Sequence, residues 1–138
     1  MDNQVDLRQE LEFLENFISV SEKQLNSLAR GLEDYTRALS VLQDQNVGTS
    51  TDTLLSVGGG VFVRGSVKPD ADTLVSIGSE IFIEENREKS TERLKNLIEE
   101  IRKSFEGLNI QRAEALRRYE LIVSAINQQQ SEKNSDVT

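Results

Sequence analysis

Apolar residues enter this chain in steps of four and three. They fall at Leu7, Leu11, Leu14, Ile18, Leu25, Leu28, Leu32, Tyr35, Leu39 and Leu42, and Ser21 is the one polar member of the series. A 3.5-residue period held over about five heptads is the seam of a coiled coil, with Leu11, Ile18, Leu25, Leu32 and Leu39 at a and Leu7, Leu14, Leu28 and Leu42 at d. A second series, Leu94, Ile98, Ile101, Phe105, Leu108, Arg112, Ala115, Tyr119, Ile122 and Ile126, steps the same way, and only Arg112 is charged. Each arm is predicted to be a helix rising roughly 60 Å at about 1.5 Å per residue.

The natural partner of each arm is the other. Antiparallel pairing sets a against d, and one such register joins residues whose numbers sum to 133: Leu7 with Ile126, Leu11 with Ile122, Leu32 with Ile101. It also puts Ser21 and Arg112 in one layer, a polar pin of the kind that fixes coiled-coil register. Slips of seven residues and an Arg112 that snorkels its head into water are the alternatives. Asn46, Gly48 and "GTSTDT" supply the stop of the first helix, acidic residues near Glu84 to Ser90 the start of the second. The predicted division is a first helix over 1–46, an intervening segment over 47–84, a second helix over 85–130 and a disordered tail over 131–138, all in one domain.

The intervening segment says nearly the same thing twice. "DTLLSVGGGVFVRG" at 52–65 returns as "DTLVSIGSEIFIEE" at 72–85, with Leu55/Val75, Val57/Ile77, Val61/Ile81 and Val63/Ile83 exchanging one aliphatic side chain for another. Each copy reads as strand, Gly-containing turn, strand, and Pro69 in "KPDAD" supplies the link between two β-hairpins. Alternation puts Val61 and Val63 on one face and Phe62 on the other, as it does Ile81 and Ile83 against Phe82. A hairpin that is apolar on both sides cannot bury itself. Leu55, Val57, Val61, Phe62, Val63, Val75, Ile77, Ile81, Phe82 and Ile83 are therefore the predicted assembly residues, joining subunits into a closed sheet or β-barrel. The fold class is α+β and mainly α, a long antiparallel two-helix coiled coil with two β-hairpins between the helices.

Composition narrows the chemistry. The 138 residues contain no Cys and no His, which removes thiolate metal sites, disulfides and imidazole-based catalysis. A net charge of −8 opposes nucleic acid and anionic membrane. No run is long and apolar enough for a membrane span, and "MDNQVDLRQELE" lacks the features of a secretory signal, so a soluble cytoplasmic protein is expected. "GVFVRGS" has the outer spacing of a phosphate-binding loop, but its Lys is missing and a strand stands where the helix should begin. The pairs Glu84/Glu85 and Glu99/Glu100 read as solvated faces, not as acid/base carboxylates. No enzyme activity and no cofactor are expected.

Helix, two hairpins, helix, with "LLSVGGGVFVRGSVK" leading into "DTLVSIGSEIFIEEN", resembles the prefoldin α subunits, most closely the archaeal type. The likeness covers the chain except its polar tail. It implies a hexamer of two α and four β subunits, a double β-barrel platform, and six coiled coils whose tips hold unfolded polypeptides without ATP before delivery to a group II chaperonin. Helix-tip positions matching that pattern lie near Leu7 and Leu11 and near Ile122 and Ile126. The residues themselves support a special role for these ends: Val5, Phe13, Phe17, Val20, Leu116, Leu121 and Val123 are apolar yet lie off the seam, whereas residues 22–46 and 86–111 hold only Val41, Leu97 and Ile110 of this kind. A third helix or local unwinding that buries them is the alternative. Val5, Leu7, Leu11, Phe13, Phe17, Leu121, Ile122, Val123 and Ile126 are the predicted client-binding residues. A competing function is a coiled-coil adaptor or assembly subunit that binds one folded partner.

Overall fold

The computed structural model describes residues 2–44, 53–68 and 71–136. The elements run α1 (Asp2–Gln43), β1 (Thr53–Gly58), β2 (Val61–Gly65), β3 (Thr73–Gly78), β4 (Ile81–Glu85) and α2 (Arg87–Asp136). The fold is thus two long helices packed antiparallel with two hairpins between them. The expected stop signals at Asn46, Gly48 and "GTSTDT" up to Asp52, and the linking Pro69, lie outside the described residues.

Two compact units are present, one made of residues 1–31 with 101–138, the other of residues 32–100. In the first, Leu14, Ala115 and Ile122 form a buried cluster, and Leu7, Leu11, Phe17, Ile18, Tyr119 and Ile126 pack against it. All but Phe17 come from the two heptad seams. Cross-helix contacts settle close to the predicted register: Glu22 with Arg112 and Glu15 with Tyr119 have numbers summing to 134, and Gly31 faces Ile101 at 132. A one-heptad slip would move these values by seven. Ser21 is 1% exposed, and Arg112 from the same layer sends Nη2 to Glu22 Oε1 at 2.9 Å. The arginine head therefore leaves the seam toward a carboxylate, which is how a charged residue occupies an a position without an unpaired buried charge.

In the second unit each hairpin is its own two-stranded antiparallel sheet. The repeat is preserved to the register: Leu55↔Val63 and Ser56↔Phe62 in one copy, Val75↔Ile83 and Ser76↔Phe82 in the other. Both shift register at the same place, between Ser56 and Gly58 and between Ser76 and Gly78, leaving Val57 and Ile77 as the bulged residues. The turns that follow need positive φ. Gly59 and Gly60 adopt it at 61° and 76°, whereas the second copy places Ser79 and Glu80 at 52° and 60°, a conformation that disfavours side chains bearing Cβ.

α2 begins at Arg87 because Asn86 caps it: Asn86 Oδ1 accepts from the Lys89 N–H at 2.8 Å, and its carbonyl accepts from the Ser90 N–H. The helix continues to Asp136, so residues 131–136 are helical where a disordered tail was expected. Helix propagation does not require an apolar seam, and Lys133 in the last turn suits the negative helix end.

Candidate functional site

Three features of the chain are built for, or bear on, contact with something else: the hairpin faces, the junction that seats the second hairpin, and the outer face of the helix ends.

Residues paired directly across an antiparallel ladder share a face. Leu54, Ser56, Phe62 and Arg64 therefore lie on one side of the first hairpin, and Thr53, Leu55, Val61 and Val63 on the other. In the second hairpin Leu74, Ser76, Phe82 and Glu84 oppose Thr73, Val75, Ile81 and Ile83. Of the ten predicted assembly residues, Leu55, Val57, Val61, Phe62, Val63, Ile77, Ile81, Phe82 and Ile83 are exposed and only Val75 is half-buried. Apolar side chains in such number on both faces of a two-stranded sheet are surface in want of a cover. Val75, with Leu74, lines a groove of 580 Å³ whose other wall includes Tyr35, Val41, Leu94 and Leu97.

The junction at the end of the second hairpin was not anticipated. Glu85 is 8% exposed, and Ser90 and Thr73 meet it: Thr73 Oγ1 donates to the Glu85 carbonyl at 3.0 Å, Ser90 Oγ donates to Glu85 Oε2 at 3.1 Å, and Arg93 forms an ion pair with that carboxylate. The Thr73 and Ser90 hydroxyl oxygens also lie against each other; with one proton each, a bond between them takes the place of one of the two to Glu85. This corrects the expectation that Glu84/Glu85 form a solvated pair. The two sit on a strand, not a helix, so alternation sends Glu84 out and Glu85 inward beside Thr73, its ladder partner. The signal in the sequence was the difference between the copies, since the first hairpin has Gly65 where the second has Glu85.

At the helix ends the predicted client-binding residues divide into two sets. Leu7, Leu11, Phe17 and Ile126 are half-buried against the core, and Ile122 is only 2% exposed, so these residues, all but Phe17 from the seam, are committed to the helix pair. Val123 is half-buried too. Phe13 at 68% and Leu121 at 60% exposure, with Val5, are open. The expectation of surface availability thus fails for Ile122, because a d residue at the centre of the seam is covered by the partner helix. Val20, off the seam and outside the predicted set, is exposed as well.

Phe13, Val20 and Leu121 share one side of the helix pair, whereas Val5 stands at b on the other flank. Positions c and g are neighbours round a helix, and on α1 they read Asp6, Glu10, Phe13, Phe17, Val20; on α2 they read Glu114, Arg118, Leu121, Ala125. In an antiparallel pair g meets g, and Arg118 indeed donates through Nε and Nη2 to the two carboxylate oxygens of Glu10, at 2.7 and 3.2 Å. That bidentate bond holds the Glu10 carboxyl below its usual range and the Arg118 guanidinium above its own. On the other flank Tyr119 Oη donates to Glu15 at 3.0 Å, which raises the phenol.

Among the described residues no helix is long and apolar enough to cross a membrane, and no cluster of acidic side chains could hold a metal ion.

Comparison with known proteins agrees on one family. The family described as Prefoldin, prefoldin subunit, matches residues 5–132. Prefoldin subunit alpha of Thermoplasma acidophilum is 31% identical over 117 residues, which is 85% of this chain and 90% of that relative. A chain in the cryo-EM structure of filamentous PFD from Methanocaldococcus jannaschii superposes with a TM-score of 0.65 at 18% identity, covering 84% of this chain and 97% of that one, a likeness of fold.

Proposed function

The chain belongs to the prefoldin subunit family, of the alpha type, and from that membership we propose that it holds unfolded polypeptides without ATP at the exposed apolar face of its helix ends and passes them to a group II chaperonin. Family membership makes it a non-enzymatic chaperone subunit. The finer proposal includes assembly through the hairpins with β-type subunits into a hexamer of two α and four β chains, working in the cytoplasm.

One observation carries the reading. Phe13 and Leu121 are large, apolar and open on the same side of the helix pair although the seam beside them is well packed. Nothing in the packing of two helices requires a phenylalanine at c. Burial of such side chains by an unfolded segment contributes about 25 cal/mol per Å2 of apolar surface, so a few of them supply several kcal/mol. Repetition over six helix pairs would turn such weak contacts into retention by avidity.

The test is suppression of aggregation. The chain is co-assembled with a β-type subunit, the mass of the complex is measured, and several unrelated proteins are diluted from denaturant in the absence of nucleotide. Reduced aggregation of all of them is expected. Protection of one protein alone, in its folded form, would favour an adaptor that binds a single folded partner.

A further inference from the structure

The charge around Phe13 is one-sided. Over residues 2–22, α1 carries Asp2, Asp6, Glu10, Glu12, Glu15 and Glu22 against the single cation Arg8. Three of these carboxylates are engaged by α2: Glu10 by Arg118, Glu15 by Tyr119 and Glu22 by Arg112. Asp6 and Glu12 are not in any such pair. Asp6 lies one heptad before Phe13 at the same c position, roughly 10 Å along the axis, and Glu12 shares with Phe13, Gln9 and Asn16 the lining of a shallow surface depression. Arg118, the cation on this face, is consumed by Glu10; Arg117 is the residue before it, off the c and g positions.

An exposed aromatic ring with one unengaged carboxylate beside it in the same depression and another one heptad before it on the same stripe fits one kind of ligand. Its apolar face accepts an aliphatic or aromatic side chain, and a cation beside that side chain meets Asp6 or Glu12 and is attracted to the ring face itself. An acidic neighbour would meet repulsion. We infer that the Phe13 face selects extended polypeptide segments in which a large apolar side chain is flanked by lysine or arginine. The inference rests on the reading that this face captures unfolded segments, and it names which of them are preferred.

The probe is a set of three short fluorescent peptides that share one core of Leu, Phe and Ile and carry lysines, serines or glutamates on both sides. Their anisotropy is titrated with the full chain at low salt. The lysine-flanked peptide is expected to bind about fivefold more tightly than the glutamate-flanked one, with serine between them, and added salt should narrow the spread. Asp6→Lys with Glu12→Lys should invert the order. Asp34→Lys with Glu99→Lys changes the net charge equally, away from Phe13, and should leave the order as it was. Phe13→Ser should weaken all three peptides. Equal affinity for the three peptides overturns charge selection and leaves apolar capture standing. An order that survives the Asp6/Glu12 reversal, or that is lost in the Asp34/Glu99 control, assigns the preference to overall charge and also overturns it. Binding of none of the peptides removes both this inference and the capture reading beneath it.

Discussion

At the scale of single residues, the two copies of the hairpin differ where their duties differ. The first turn uses Gly59 and Gly60 at positive φ, while the second forces Ser79 and Glu80 into the same region. That conformation costs a residue with Cβ roughly 1 kcal/mol. Glu80→Gly is therefore expected to slow hydrogen exchange of the β3 and β4 amides, whereas Gly60→Glu should speed it in β1 and β2. Glu85 is a second such residue. Its carboxylate accepts from Ser90 and pairs with Arg93 in a buried setting, so Glu85→Ala should lower stability by about 1–3 kcal/mol in denaturant unfolding, by leaving those donors unmet. The Glu10–Arg118 pair sets a pH dependence of known sign. Because the Glu10 carboxyl is held below its usual range in the folded chain, its contribution is present above the unfolded carboxylate pKa and is lost as pH falls through the lower, folded value. Arg118→Gln should flatten that part of the acid unfolding profile, and salt should do the same because the pair is exposed.

At the scale of elements, the helices were legible and the hairpin details were not. A heptad pattern announces itself because each seam position must meet a partner, so Leu14, Leu25, Ala115 and Ile122 could be named as core from spacing alone, and they are buried. Ser21 and Arg112 as a shared polar layer were legible as one register among heptad slips, since each series has a single polar interruption and pairing the two leaves every other layer apolar. The bulges at Val57 and Ile77 leave no mark in the sequence pattern, because alternation alone cannot say where a ladder gains a residue. Glu85 escaped because its inward direction depends on which strand end meets α2. Ile122 came into the predicted binding set from the family pattern and Phe13 from its off-seam position; heptad position implied the seam status of the one and the openness of the other, and packing separates them. The register itself is open to a direct check. Cysteines at Leu25 and Leu108, whose numbers sum to 133, should cross-link within one chain under mild oxidation. Preferential linkage of Leu25 with Ile101 would mean the helices are offset by a heptad.

At the scale of the whole molecule, the chain presents two kinds of unsatisfied apolar surface, and the account gives them separate jobs. The hairpins, whose apolar strand residues apart from Val75 are exposed on both faces, are proposed to be covered by other subunits. Phe62→Asp or Ile81→Asp should then leave helical circular dichroism nearly unchanged while breaking the hexamer, because a carboxylate without a partner is strongly disfavoured in a sheet core. Intact hexamers from both variants would remove hairpin-mediated assembly. The helix ends are proposed to remain open for unfolded segments, and that is the central claim. It is tested most directly by aggregation suppression with the assembled complex carrying Val5→Ser, Phe13→Ser and Leu121→Ser, set beside a control with Val41→Ser and Ile110→Ser. The control residues are 53% and 60% exposed, so general surface hydrophobicity is lowered in both. The account predicts unchanged hexamer mass in each, a several-fold loss of protection in the Val5/Phe13/Leu121 variant and little loss in the control; equal protection by both, or a greater loss in the control, would contradict it.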